Sequence, residues 1–187
     1  MKQILSAIFL VLLFSGCVEK KNVLYIDNQS LCSEPMATLY LKDVDIKNNA
    51  KTFNIAPDEI RSALIGSLKE TNCFKVFSYN KSRTLESDKE YILNAKVTLT
   101  QEEEVVEKNI FKKEQKELIT MAVVLQAYNE NKKVNATAKS ELSTDKSKIL
   151  GFKNERDVTG DSQTVLQNAT RKASLALTDG FIKLQEK

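Results

Sequence analysis

No histidine occurs among the 187 residues, which removes the commonest general base and the commonest metal ligand together. Glycine is scarce: five residues, at positions 16, 66, 151, 160 and 180, leave no glycine-rich loop to cradle a phosphate. Three cysteines, at 17, 32 and 73, do not supply a tetrahedral metal cage. An excess of one charge is missing too. Lys and Arg number 28 against 25 Asp and Glu, a formal charge of +3 that is spread along the chain rather than gathered in a stripe. Charge therefore implies no polyanionic partner, and nucleic acid is not expected. No internal repeat or low-complexity segment is found. What is present is a charge-interspersed chain, long enough for one domain with a real core and short for two.

Met1-Lys2-Gln3 opens basic, an apolar run from Ile4 to Phe14 follows, and the small pair Ser15-Gly16 closes it. This is the pattern of a secretory signal. The run covers about half of the ~20 residues a spanning helix needs, which argues against a plain membrane span. Leu13-Phe14-Ser15-Gly16-Cys17 resembles a bacterial lipobox, with Phe14 where the family usually has leucine and a bulky apolar group is required. The resemblance implies cleavage after Gly16 and lipidation of Cys17, palmitate included, as the mature N-terminus. A soluble secreted protein with a chance cysteine at the cleavage point is the alternative. Val18 lacks the aspartate that holds many lipoproteins at the inner membrane, which by the same resemblance favours the outer membrane, facing the periplasm. The chain then divides into a signal peptide (1–16), a lipidated cysteine and tether (17–34) and a single periplasmic domain (35–187). Fully extended, Cys17 to Ser30 reaches roughly 45 Å at ~3.3 Å per residue.

With Cys17 lipidated, Cys32 and Cys73 remain, and an exported pair favours a disulfide. Closing a loop of about 40 residues contributes roughly 3–4 kcal/mol in the chain-entropy model. Two separate buried thiols are the alternative. Ala37-Thr38-Leu39-Tyr40-Leu41 reads as a buried strand. Pro57-Asp58-Glu59 then announces a helix, since proline suits the first helical position and acids complement the dipole there. Ile60, Ala63, Leu64, Ser67 and Leu68 share its inner face, Asn72 is its left-handed stop, and Phe74-Lys75-Val76-Phe77 is the next strand. Parallel strands joined by a right-handed crossover begin at one sheet end, which would bring Cys32 and Cys73 together.

Three strands follow as an antiparallel meander: Tyr91–Thr100, Leu118–Tyr128 and, after a turn at Asn129–Lys133, Val134–Leu142. Tyr91, Leu93, Ala95, Val97 and Leu99 alternate inward, with Ile92 breaking the rule. Gln101–Glu117 is dense in charge and reads as an exposed long hairpin or loop. Its sharper reading is a partner-binding arm with Ile110 and Phe111 as the apolar tip. A long helix from about Asp161 closes the chain, its stripe made of Val165, Leu166, Ala169, Ala173, Ala176, Leu177 and Phe181. Gly180 costs that helix about 1 kcal/mol relative to alanine. The fold class is α/β (α+β): a βαβ unit, an antiparallel meander, helices packed on the sheet and a long C-terminal helix.

Glu59 to Val76, a helix ending in a polar pair before Phe74-x-Val76, is similar to a pattern in envelope lipoproteins of the curli-secretion and penicillin-binding-protein-activator group, the CsgG/LpoB-like superfamily. Element order matches over roughly residues 37–187. The resemblance implies one of two roles. A secretion pore needs membrane-spanning strands of about ten residues with an outward apolar band, and Gln101–Glu117 lacks that alternation. A lipid-anchored activator or assembly factor needs only the domain on its tether. Auxiliary lipoproteins of ABC-type lipid transporters share a similar organisation and are the competing reading.

Enzymatic threads are thin. Ser78-Tyr79-Asn80-Lys81 matches the S-x-x-K of penicillin-recognising enzymes, and Ser87-Asp88-Lys89 weakly resembles their second element, but no Lys-Thr-Gly follows. Ser143-Thr144-Asp145-Lys146 matches too, a measure of how cheaply this composition yields the motif. Asp58-Glu59 is explained by its place in a first helical turn, and consecutive Glu102–Glu104 lack the loop geometry calcium needs. The expectation is a non-catalytic accessory factor without cofactor or metal, held to the membrane by its lipid and binding another envelope protein.

Overall fold

A computed structural model describes residues 31–50, 55–82, 84–108, 112–149, 152–153 and 158–186. The elements run β1 (Ala37–Asn48), α1 (Pro57–Glu70), β2 (Phe74–Ser78), β3 (Glu90–Lys108), β4 (Lys112–Tyr128), β5 (Lys133–Ile149), β6 (Phe152–Lys153) and α2 (Val158–Gln185). They make one mixed sheet in the order β2-β1-β3-β4-β5-β6. β1 is parallel to both β2 and β3, whereas β3, β4, β5 and β6 are successively antiparallel. Both helices pack into the core on one face, α1 over β1 and β2, α2 over β4 and β5. The βαβ start, the meander and the long closing helix all follow the α+β expectation.

Local chemistry sets the first unit. Pro57 opens α1 with Asp58 and Glu59 in its first turn, and Ile60, Leu64, Ser67 and Leu68 are buried. At its end the Thr71 hydroxyl donates to the Leu68 carbonyl at 2.8 Å, and Asn72 takes φ 59° while its N–H donates to the Lys69 carbonyl at 3.0 Å. Asparagine tolerates that left-handed turn, so the chain reverses at once into β2. Ala37 pairs with Phe74 in register. Cys32 and Cys73 lie just before these strands and are joined by a disulfide, with Cα atoms 5.1 Å apart.

β1 extends seven residues beyond the predicted Leu41, and a bulge explains how. Between Leu41 and Val44 the register with β3 shifts by one residue. Without the extra residue Asp43 and Asp45 would follow Leu39 and Leu41 onto the helix side. With it, Val44 and Ile46 take those places and pack against the core. The meander also runs longer than its apolar alternation predicts. Gln101–Lys108 and Lys112–Glu117 continue β3 and β4 as a ladder, and β5 continues past Leu142 to Ile149. Gln101–Glu117 is thus a long hairpin and not an irregular loop.

α2 buries the whole predicted stripe except for the partly covered Ala176. Its neighbouring buried positions are hydroxyls: Ser174 and Thr178 each donate to the carbonyl four residues back at 3.0 Å, and among the described residues no buried side-chain polar atom is stranded. Thr170 donates likewise to Leu166 at 2.9 Å and accepts from the Ser67 hydroxyl at 3.0 Å, a buried link between the helices. Near the C-terminal end, Phe181 makes edge contacts with Phe74 (centroids 5.2 Å) and Tyr91 (4.9 Å). Gly180 is required by close approach, because a Cβ there would stand 2.6 Å from Val134 Cγ1.

Candidate functional site

The strands that bury Tyr91 to Leu99 and Ile119 to Ala127 under the helices turn their alternate residues to a face that no described element covers. One cross-strand row on that face is aromatic and aliphatic. Register places Phe77 beside Tyr40, Tyr40 beside Ile92, and Ile92 beside Tyr128, across β2, β1, β3 and β4. Ile92 interrupts the alternation read from sequence because it belongs to this row. Phe77 and Tyr40 stack with centroids 5.9 Å apart. Tyr40 is buried by its neighbours and donates to Glu90 Oε1 at 2.8 Å, while Phe77, on the edge strand, stays 52% exposed. Glu90 Oε2 accepts from the Glu86 amide at 2.8 Å, which holds the carboxylate in place.

Further along, the same face is mixed: Val124 is 39% exposed, Gln126 Nε2 donates to Asn135 Oδ1 at 3.1 Å, and Lys139 pairs with Glu141. Opposite it, the helix–sheet layer is filled by Leu39, Leu41, Leu64, Leu93, Leu125 and Leu177, all fully buried.

The two ends of the sheet differ. β1, β2 and β3 start, and the β4–β5 turn closes, at the disulfide end. Asn129 organises that turn: its Oδ1 accepts from the Asn131 and Lys132 amides, and its Nδ2 donates to the Asp88 carbonyl at 3.0 Å. Burial and the nearby Asp88 charge push the Tyr91 phenol above its ordinary 10.0, partly offset by a hydrogen bond with Asn129. A shallow cleft of about 400 Å³ lies here, lined by Glu34, Pro35, Met36, Thr38, Lys75 and Lys89. At the other end, β3 and β4 outrun the helix layer. β3 covers roughly 55 Å from Tyr91 to Lys108 at ~3.3 Å per residue, and α2 covers roughly 35 Å from Phe181 back to Val158 at ~1.5 Å per residue.

The residues singled out in the sequence distribute unevenly over this frame. Cys32 and Cys73 are together in the disulfide. Cys17, Ile110 and Phe111 lie outside the described residues. Ser78 ends β2 and Lys81 sits in the following turn, both exposed; Ser87 accepts from the Lys89 amide at 3.2 Å as part of a turn. Ser143-to-Lys146 runs along extended β5, where a three-residue step does not return to one face. Asp58 and Glu59 are exposed in the first turn of α1, and Glu102 and Glu103 are exposed on β3. Sequence reasoning missed the Phe77–Tyr40–Ile92–Tyr128 row, whose members belong to four separated segments, and the buried Glu117, which accepts from Gln101 Nε2. Among the described residues no group of three acidic or cysteine side chains gathers to hold a metal, and no helix is long and apolar enough to cross a membrane.

No protein-family model matches the chain, and no curated protein matches it in sequence. Solved structures do. A neuraminyllactose-binding hemagglutinin homologue of Helicobacter pylori aligns at TM-score 0.44 and 12% identity, over 78% of this chain and 87% of that one. A minor lipoprotein of Acinetobacter baumannii aligns at 0.37 and 14%, over 78% and 93%. Rare lipoprotein B of Shewanella oneidensis aligns at 0.24 and 10%, over 78% and 93%. Two of these three similar structures are bacterial lipoproteins. All three scores lie below the level at which such a likeness carries an argument about function.

Proposed function

We propose that the chain is a non-catalytic envelope lipoprotein, anchored by lipid on Cys17, that binds another envelope protein through the uncovered face of its sheet. The observation that carries the reading is the contrast between the two faces. One is sealed by helices over a filled core; the other is continuous across the sheet and bears Phe77 and Val124 exposed. The CsgG/LpoB-like resemblance supports the accessory role, as does the agreement of element order with the one it implies. The auxiliary lipid-transport alternative differs in the partner it implies, a lipid-transfer protein. Val18 after the anchor cysteine supports the outer membrane, periplasmic face. Acyl chains hold a domain at about 0.8 kcal/mol per buried methylene, and a tether raises its effective concentration for local partners.

Fractionation of cells carrying Cys17→Ala tests the anchor. The wild-type chain is expected in the outer-membrane fraction and the variant in the soluble periplasm. A variant that stays with the membrane unchanged contradicts the lipoprotein reading.

A further inference from the structure

Beyond β5 the sheet ends in a long open edge. Among the described residues β6 pairs only with Lys148 and Ile149, so the outer side of β5 is unpaired from Lys133 to Ser147. The preceding turn fixes which residues bond outward. The Asn129 amide donates to the Lys132 carbonyl at 2.9 Å, and the β4–β5 ladder continues from there without a register shift. Even-numbered residues of β5 therefore bond to β4, and odd-numbered ones turn their amides and carbonyls outward. Such a row is a template for another strand.

The side chains along this edge complement themselves. Lys139 and Glu141 are exposed on the uncovered face and pair with each other along the strand. A strand that reads Lys-x-Glu reads Glu-x-Lys when turned round. An antiparallel second copy centred on Ser140 therefore sets each Lys139 opposite the other copy's Glu141, and each Thr137 opposite Ser143. The backbone gives the same centre independently, because Ser140 is the midpoint of the unpaired stretch from Lys133 to Ser147. A slip of two residues, the smallest that keeps odd positions opposed, sets Lys139 against Lys139 or Glu141 against Glu141. Like charges directly opposite are unfavourable, so this register excludes its neighbours.

On the helix side the same register brings Ala138 opposite Leu142. Both are only partly buried where they pack against the core, and each gains a cover from the other copy. The helices leave room for this. α2 packs over β4 and β5, so its axis stands about one strand spacing, ~4.8 Å, from the two-fold axis. The two copies of α2 then lie about 10 Å apart, an ordinary distance for packed helices. The opposite edge of the sheet fails the same test. Turned on itself, Phe74–Ser78 sets Lys75 opposite Phe77 and offers no opposite charge.

We infer that two copies of the chain join edge to edge along β5, antiparallel about Ser140, as one continuous sheet. The helices of both copies stand on one side of it, and the two uncovered faces merge on the other. The pairing closes an edge that is otherwise open to foreign strands. It requires neither the lipid anchor nor a protein bound to the uncovered face.

Ser140→Cys in the full-length chain, oxidised in intact cells, tests the register. Ser140 meets its own copy on the two-fold axis, so a disulfide-linked dimer is expected. Ser143→Cys stands roughly 20 Å from its copy and is expected to give none. Linked dimer from neither position, or equally from both, overturns the inference. Sedimentation of the purified chain in detergent is the second test. Lys139→Glu is expected to weaken the dimer at least about tenfold, and adding Glu141→Lys to restore it, because the exchanged charges pair in the same register. Both side chains are exposed, so neither change threatens the fold. A wild-type chain that stays monomeric at its highest soluble concentration, or a dimer indifferent to Lys139→Glu, also overturns the inference.

Discussion

Along β3 and β4 the two faces of the sheet are written in alternate letters. Leu93, Ala95, Val97, Leu125 and Val123 lie under two helices and are buried, while Lys96, Thr98, Ala122 and Val124 look out from the side that no described element covers. Because the side-chain period of a strand is two, one backbone step separates a residue that holds the fold from one that is free to make contact. The covered face tolerates little change, since its side chains interlock at crystal-like density. The uncovered face is under less demand: Tyr40 is buried by its neighbours there, but Phe77 and Val124 are exposed.

The strongest way to break this contrast is to truncate neighbours on opposite faces. Leu125→Ala removes a fully buried side chain from the centre of the core and is expected to cost about 2–5 kcal/mol. Val124→Ala, one step away and 39% exposed, is expected to stay within about 0.5 kcal/mol of wild type. Chemical denaturation of both variants decides the matter. Equal losses would show that the face without helices is sealed by something else.

A smaller effect sharpens the covered side. Gly180→Ala gains about 1 kcal/mol of helix propensity but drives a Cβ against Val134 Cγ1, on a stiff β-branched side chain. Overpacking costs about 1–3 kcal/mol, so the net expectation is a loss of about 1 kcal/mol. Val134→Ala in the same chain should turn Gly180→Ala from destabilising to stabilising. Additive effects in that double-mutant cycle would mean the close approach is not what selects glycine.

The smallest expected effect lies at the disulfide end. Tyr91 holds its proton more tightly folded than unfolded, because burial and Asp88 oppose the phenolate. Its contribution is complete below the ordinary value of 10.0 and declines as pH rises through the raised folded value. Unfolding free energies measured from pH 9 upward should fall, and Tyr91→Phe should remove part of that slope. An unchanged slope would leave the alkaline loss to other groups.

Much of the covered half was legible in the sequence, for reasons that are local. Pro57 with two acids starts α1, Asn72 ends it, and the inward alternation of Tyr91–Leu99 names its own buried face. The cysteine pair gained force from topology, because strands in a βαβ unit begin together. What could not be read depended on register. Nothing in Lys42-Asp43 announces a bulge, although that bulge is what turns Val44 and Ile46 toward the core. Gln101–Glu117 hid its strands because they are held by backbone ladders, β3 to β4 and β4 on to β5, and a ladder accepts charged residues that have no apolar period. Ile92 looked like an error in a pattern, and only the neighbours Tyr40 and Tyr128 reveal the row it serves. Gly180 looked like a weakness in a helix until Val134 stood against it.

Site-specific photocrosslinking in intact cells tests the central claim most directly. A photoreactive residue is placed either at Val124, on the uncovered face, or at Leu175, 37% exposed on the outer side of α2. Capture of another envelope protein from position 124 and not from 175 is the predicted result. Capture from position 175 alone, or equally from both, would contradict the assignment of recognition to the uncovered face.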